Sequence, residues 1–112
     1  MPKRREMGLA EAALLFAAFG DETRLAVVRQ LSLCGPASIS TLAQNFGISR
    51  QGVTKHLQLL AQAGVIRGER EGREHIWTLE PDRVAEAQQC LEQVGRGWDN
   101  ALARLKSHIE RG

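Results

Sequence analysis

The chain has 112 residues, with 15 Lys and Arg against 13 Asp and Glu, for a formal net charge of +2. That length makes one compact domain, residues 1–112, with a modest core, and no apolar run approaches the roughly 18 residues of a membrane span. The two cysteines, Cys34 and Cys90, show no C-x-x-C spacing and no nearby His pair, so they build no disulfide-dense scaffold and read as reduced, partly buried thiols.

The chain opens on the basic stretch M-P-K-R-R-E-M, followed by the apolar-rich segment Leu9 to Phe19. The pair superficially suggests a signal peptide, but Glu11 interrupts the run and no small-residue cleavage site follows. A buried or amphipathic first helix over 9–19, in a cytoplasmic protein, is the expectation. It is apolar almost all round, so it should be covered on more than one side. Asp21 is placed to cap a second helix over about 22–33, with Leu25, Val28, Leu31 and Ser32 as its inner face. Cys34-Gly35-Pro36 ends it.

Ser38 or Ser40 can cap a short third helix over about 41–46, with Ile39, Leu42 and Phe46 pointing inward and Gly47 as its stop. The fourth helix follows at once. Ser49 stands at its N-cap and Gly64 at its end, and Val53, Leu57, Leu60 and Ala61 form one apolar stripe at helical period. Its other face carries Arg50, Gln51, Thr54, Lys55, His56 and Gln58 without a single acid, the side-chain types that bond base edges and phosphates. Two short helices joined through a Gly make a helix-turn-helix pattern.

Val65 to Arg67 and His75 to Leu79 are β-prone and flank a charged stretch with a Gly, which predicts a hairpin with Arg70 and Arg73 at its tip. From Pro81 to about residue 110 the chain is helical again. Val84, Ala87, Leu91, Val94, Trp98, Ala101, Leu105 and His108 follow a heptad spacing, widened by Leu102 and Ile109 and interrupted by Gly95 and Gly97. So long a stripe has too little of its own domain to cover it. A dimer interface made by the helices at 9–19 and 82–110 is the natural outlet, with Leu9, Ala13, Phe16, Leu91, Val94, Trp98, Leu102 and Leu105 in it. Charge is segregated as well. Thr23 to Gly68 contains Arg24, Arg29, Arg50, Lys55 and Arg67 and no acid, as a polyanionic partner on one face requires.

The fold expected is mostly α with a small β-hairpin, five helices with the hairpin between the fourth and fifth. This arrangement resembles the winged helix-turn-helix repressors of the ArsR/SmtB family over nearly the whole chain. F-G-D-E-T-R-L (Phe19 to Leu25) is similar to that family's A-L-x-D-x-T-R. The stretch from Ile48 to Ile66 looks like its S-x-x-x-V-S-x-H-L-x-x-L-x-x-A-G-L-V, and G-R-E-H-I-W-T-L (Gly72 to Leu79) like its wing, with Trp77 for the usual Tyr. The resemblance implies a homodimeric transcriptional repressor that binds double-stranded DNA at an inverted repeat until an effector, unknown here, weakens the complex. DNA contacts are expected from Ser38, Ser40, Ser49, Arg50, Gln51, Thr54, Lys55, His56 and Gln58, and from Arg70 and Arg73 in the wing, with His56 ambiguous between contact and packing.

Many relatives hold a metal through cysteines of an E-L-C-V-C-D-L box. The matching stretch here, Pro36 to Leu42, has Ser38 and Ser40 at the thiol positions, and hydroxyls are poor ligands for soft metals. A second metal site, on the last helix, is matched by Pro81, Arg83, Val94 and Gly97, which offer no ligands. No metal and no cofactor are therefore expected. Other relatives bridge a thiol on the second helix to one on the last, so Cys34 and Cys90 stand as possible redox residues of a thiol- or persulfide-sensing repressor. The stretch Trp98 to Leu105 resembles relatives without a metal motif. No nucleophile–base pair or Gly-rich phosphate loop suggests an enzyme, and a winged-helix protein-interaction module is the remaining alternative.

Overall fold

The computed structural model describes residues 7–111, so the basic start of the chain lies outside the described residues. Five helices, α1 (Leu9–Phe19), α2 (Glu22–Cys34), α3 (Ile39–Phe46), α4 (Arg50–Gln62) and α5 (Pro81–Arg111), surround a small antiparallel sheet. Its strands are β1 (Ala37–Ser38), β2 (Ile66–Glu71) and β3 (Glu74–Leu79), in the order β1-β3-β2. Leu15, Val27, Leu31, Leu42, Val53, Leu57, Leu60, Val65 and Trp77 meet in one core cluster. The helix order and the winged hairpin agree with the sequence expectation.

The capping residues act as read. Asp21 accepts from the backbone N–H of Arg24, Ser38 from Thr41 and Ser49 from Gly52. Ser38 rather than Ser40 therefore starts α3, two residues earlier than expected. Gly47 ends it in the left-handed region, φ 63° and ψ 30°, where a side chain is strained. The chain thus turns within three residues into α4.

Several details depart from the sequence reading. On α2 the buried residues are Val27, Val28 and Leu31. Leu25 is 52% exposed and Ser32 also faces out. Leu25 lines an open apolar groove of about 560 Å³ with Leu33, Leu79 and Val84. The stripe is turned because Arg24 takes an inner position: its guanidinium is satisfied at the junction with α1 and α4. Hydropathy places a charge outside, and here the hydrogen bonds bring it in.

The sheet has a third strand. Ala37 pairs with Trp77 and Ser38 with Ile76, a two-residue addition too short for any period to announce. The hairpin strands are also longer than expected, with Arg67 to Glu71 paired to Glu74 to Thr78 and only Gly72 and Arg73 left as the loop. Alternating charges suit a strand whose exposed side faces water. Between the strands Gly68 is required by close approach. A Cβ there would meet Nε2 of His75 at 2.6 Å and the ring of Trp77 at 3.0 Å. His75 stacks on Trp77 with ring centroids 4.9 Å apart, and Trp77 is buried in the core.

Helix α1 buries Ala12, Leu15 and Ala18 on one side only, leaving Leu9, Ala13 and Leu14 open. Among the described residues it is not covered on more than one side, where the sequence led us to expect cover on more than one. Phe16 packs partly on its own core. On α5 the body of the chain ends at about Cys90. Leu91, Val94, Trp98, Leu102, Leu105 and Ile109 are all exposed, on a stretch roughly 30 Å long. No helix among the described residues is long and apolar enough to cross a membrane.

Candidate nucleic-acid interface

Helix α4 rests on α1, α2, α3 and β2 through Val53, Leu57 and Leu60. That seat leaves Arg50, Gln51, Lys55 and Gln58 exposed along its outer face, and Thr54 partly so. No acid lies in its first turn. The unpaired backbone N–H groups and the helix dipole at that end therefore favour an anion. Arg50, the first residue of the helix, donates from Nη1 to the hydroxyl of Ser40 on α3 at 2.7 Å. The contact spans the turn and holds the Arg stem before any partner arrives. Thr54 donates its hydroxyl hydrogen to the carbonyl of Arg50 at 2.7 Å, so toward a phosphate it offers lone pairs, not a donor.

The three serines divide. Ser49 and Ser38 are used as caps, and Ser38 also donates to the hydroxyl of Thr41. Ser40 lies beside Arg50. Of the expected contact residues the structure gathers Ser40, Arg50, Gln51, Thr54, Lys55 and Gln58 on and next to the outer face of α4. His56 is turned toward α2: its Nδ1 lies 3.4 Å from Nη1 of Arg24 and 3.7 Å from a carboxylate oxygen of Asp21.

The basic residues are not equivalent. Arg67 is bound to Glu69 and Glu80, and the hydrogen bond to Glu80, first, holds its pKa above the usual value. Arg24 is beside Asp21, whose carboxyl is held below its ordinary pKa chiefly by the backbone N–H of Arg24, and further by the guanidinium charge of Arg24. Arg29 lines the apolar groove on α2. Among the described basic residues from Arg24 to Arg73, the charge left available on this side is that of Arg50 and Lys55 on α4 and of Arg70 and Arg73 of the wing. Both wing arginines are exposed, Arg70 opposite His75 and Arg73 at the loop.

The two cysteines are free and line different cavities. Cys34, exposed rather than partly buried, ends α2 and shares a cavity with Ser38, Thr41 and Asn45. Cys90, half-buried on α5, lies beside Met7, Glu86 and Gln93. Among the described residues no three His, Cys, Asp or Glu side chains converge as metal ligands would. Sequence reasoning missed Arg24 as a neighbour of α4, although the Asp21/Arg24 spacing in D-E-T-R was its signal. It also left out Leu14, exposed on α1.

A family profile described as a helix-turn-helix domain matches residues 19–69. The HTH-type transcriptional repressor SmtB of Mycobacterium tuberculosis is 31% identical over 101 residues, which is 90% of this chain and 72% of that protein. The ArsR-like transcriptional regulator from Rhodococcus sp. RHA1 has a similar structure, with a TM-score of 0.75 at 35% identity over 88% of this chain and 92% of that one. The homodimeric winged helix-turn-helix DNA-binding domain Mb0332 from Mycobacterium bovis shares the fold at 20% identity, with a TM-score of 0.63 over 84% and 83% of the two chains.

Proposed function

This chain belongs to the ArsR family of winged helix-turn-helix transcriptional regulators, and we propose that it is a homodimeric repressor that reads an inverted-repeat operator with α4 and steadies the complex with its wing. The observation that carries the reading is the outer face of α4, with Arg50, Gln51 and Lys55 exposed on a helix whose first turn holds no acid. Arg50 and Gln51 lie in the turn that enters a major groove first, where Arg pairs with the O6 and N7 of guanine and Gln with the N6 and N7 of adenine. Ser40, Lys55 and Gln58 supply backbone contacts around them, the capping serines 38 and 49 leave helix N–H groups for a phosphate, and Arg70 and Arg73 follow the next stretch of backbone or minor groove. The whole chain, 1–112, works as one unit, in the cytoplasm where its DNA is.

The dimer rests on α5 with α1 beside it. Leu91, Val94, Trp98, Leu102, Leu105 and Ile109 form a heptad seam that nothing among the described residues of one protomer covers. A two-fold axis through that seam sets two α4 helices against successive major grooves, about 34 Å apart centre to centre. Binding to duplexes from the DNA upstream of its own coding sequence tests the reading. With about four phosphates neutralised per protomer, log K should fall with log salt at a slope near −7. A slope near zero with no preference for a palindrome would sink it.

A further inference from the structure

Arg24 occupies the inner stripe of α2, and its guanidinium reaches two other helices. Nε donates to the carbonyl oxygen of Ala18 at 2.7 Å, in the last turn of α1. That carbonyl is among the four that a helix end leaves without an intrahelical donor. Nη1 faces Nδ1 of His56 on α4 at 3.4 Å. Asp21, the cap of α2, closes the group from the other side. A guanidinium only donates, so this contact is a hydrogen bond in the tautomer of His56 that carries its ring hydrogen on Nε2 and accepts at Nδ1.

We infer that Arg24 is a positioning residue for DNA recognition: it ties the end of α1 to Nδ1 of His56 and so sets the roll of α4 about its own axis. The inference rests on the reading of α4 as the base-contacting helix. The apolar stripe of Val53, Leu57 and Leu60 fixes how deeply α4 is seated, but burial is non-directional and resists a small roll weakly. A hydrogen bond is directional. Side-chain surfaces lie about 5–6 Å from a helix axis, so a roll of about 20° moves them about 2 Å. That displacement is enough to take a bidentate contact to a base out of range. His56 directly follows Lys55 on the DNA-facing rim, so the angle it fixes is the one the contacts share. The same guanidinium reaches back to α1, which flanks the seam of the dimer, so the link also passes the dimer's geometry to the reading helix.

The experiment measures the affinity of the full chain for operator and unrelated duplexes by fluorescence anisotropy, with thermal unfolding alongside. His56→Asn places an amide oxygen near the position of Nδ1, whereas His56→Gln places its polar end near Nε2. His56→Asn should bind operator close to wild type. His56→Gln and Arg24→Gln should each weaken operator binding about tenfold with unrelated DNA little changed, and the double variant should be no worse than either single one, as coupled partners require. Arg24→Lys, which keeps the charge but cannot span both acceptors with a fork, checks the same link if Arg24→Gln fails to fold. Equal losses for Asn and Gln at position 56, or losses that follow melting temperature and appear equally on both duplexes, would overturn the inference. Arg50→Ala is run in parallel. If it leaves operator binding intact, the reading of α4 fails; if it weakens binding while the Arg24 variants do not, only the positioning role fails.

Discussion

Trp98→Ala should dissociate the dimer, and the size of the effect follows from exposure. Trp98 is 66% exposed in the single chain. A large aromatic side chain carries up to about 250 Å², so roughly 165 Å² stands open on each protomer. At about 25 cal/mol per Å², complete coverage would contribute about 4 kcal/mol. A two-helix seam covers about half of such a ring, which leaves about 2 kcal/mol per protomer, and two-fold symmetry doubles the loss to about 4 kcal/mol per dimer. The dimer dissociation constant should rise about a thousandfold. Sedimentation equilibrium across the nanomolar to micromolar range reads this directly. Arg96→Ala, on the opposite face of α5, is the control and should stay within about 0.5 kcal/mol of wild type. A Trp98→Ala chain that dimerises as tightly as wild type would refute the assignment of the seam, as would a wild-type chain that remains monomeric.

Four further outcomes are expected. Gly95→Ala and Gly97→Ala should each stabilise α5 by about 1 kcal/mol, because a Cβ at either site meets nothing within 4 Å in the protomer; a weakened dimer instead would mean that the partner's backbone passes over them. Ser38→Ala removes the cap of α3 and should cost about 1 kcal/mol in urea unfolding, and a change near zero would show that the cap is idle. Gly68→Ala should push His75 off Trp77, seen as a shifted Trp77 emission in a Trp98→Phe background; an unchanged spectrum would contradict the packing of the wing. Asp21 has a carboxyl pKa below its ordinary value, so its charge stabilises the fold above the unfolded value and stops doing so as pH falls through the folded one. Asp21→Asn keeps a capping oxygen, so the stability difference from wild type should be present at neutral pH and vanish at the acid end, and a difference independent of pH would assign the effect to capping alone.

The long elements were legible because each carried a repeated signal. The stripe of α4 and the apolar spacing of α5 repeat over several turns, Ser49 marks the start of α4, and the structure places both helices within a residue or two of expectation. The errors fall where one tertiary contact overrides a local pattern. Arg24 lies inward because a carbonyl of α1 and a ring nitrogen of α4 await it, and both are remote from it in the chain or invisible to hydropathy. Ala37 and Ser38 become a strand only because β3 passes beside them. The acid-free segment was read correctly as residues, but its field is smaller than the count of bases implies: Arg67 is bound to Glu69 and Glu80, and Arg24 stands beside Asp21. The expected contacts at Ser38 and Ser49 met a similar limit, since a hydroxyl that suits a phosphate also suits a helix N-terminus, and composition alone does not choose between them.

The sheet order leaves β2 on the outside, with one rim of its backbone amides and carbonyls unpaired. Such a rim is a template on which a strand from another molecule can grow. Here that rim carries Arg67, Glu69, Arg70 and Glu71, all exposed. To pair, two wings brought side by side would have to strip water from a row of well-hydrated charged side chains. The wing can therefore project freely from the body without seeding filaments. Replacing those four residues with Thr or Val would leave the hairpin's own pairing intact and turn the wing into a site of aggregation.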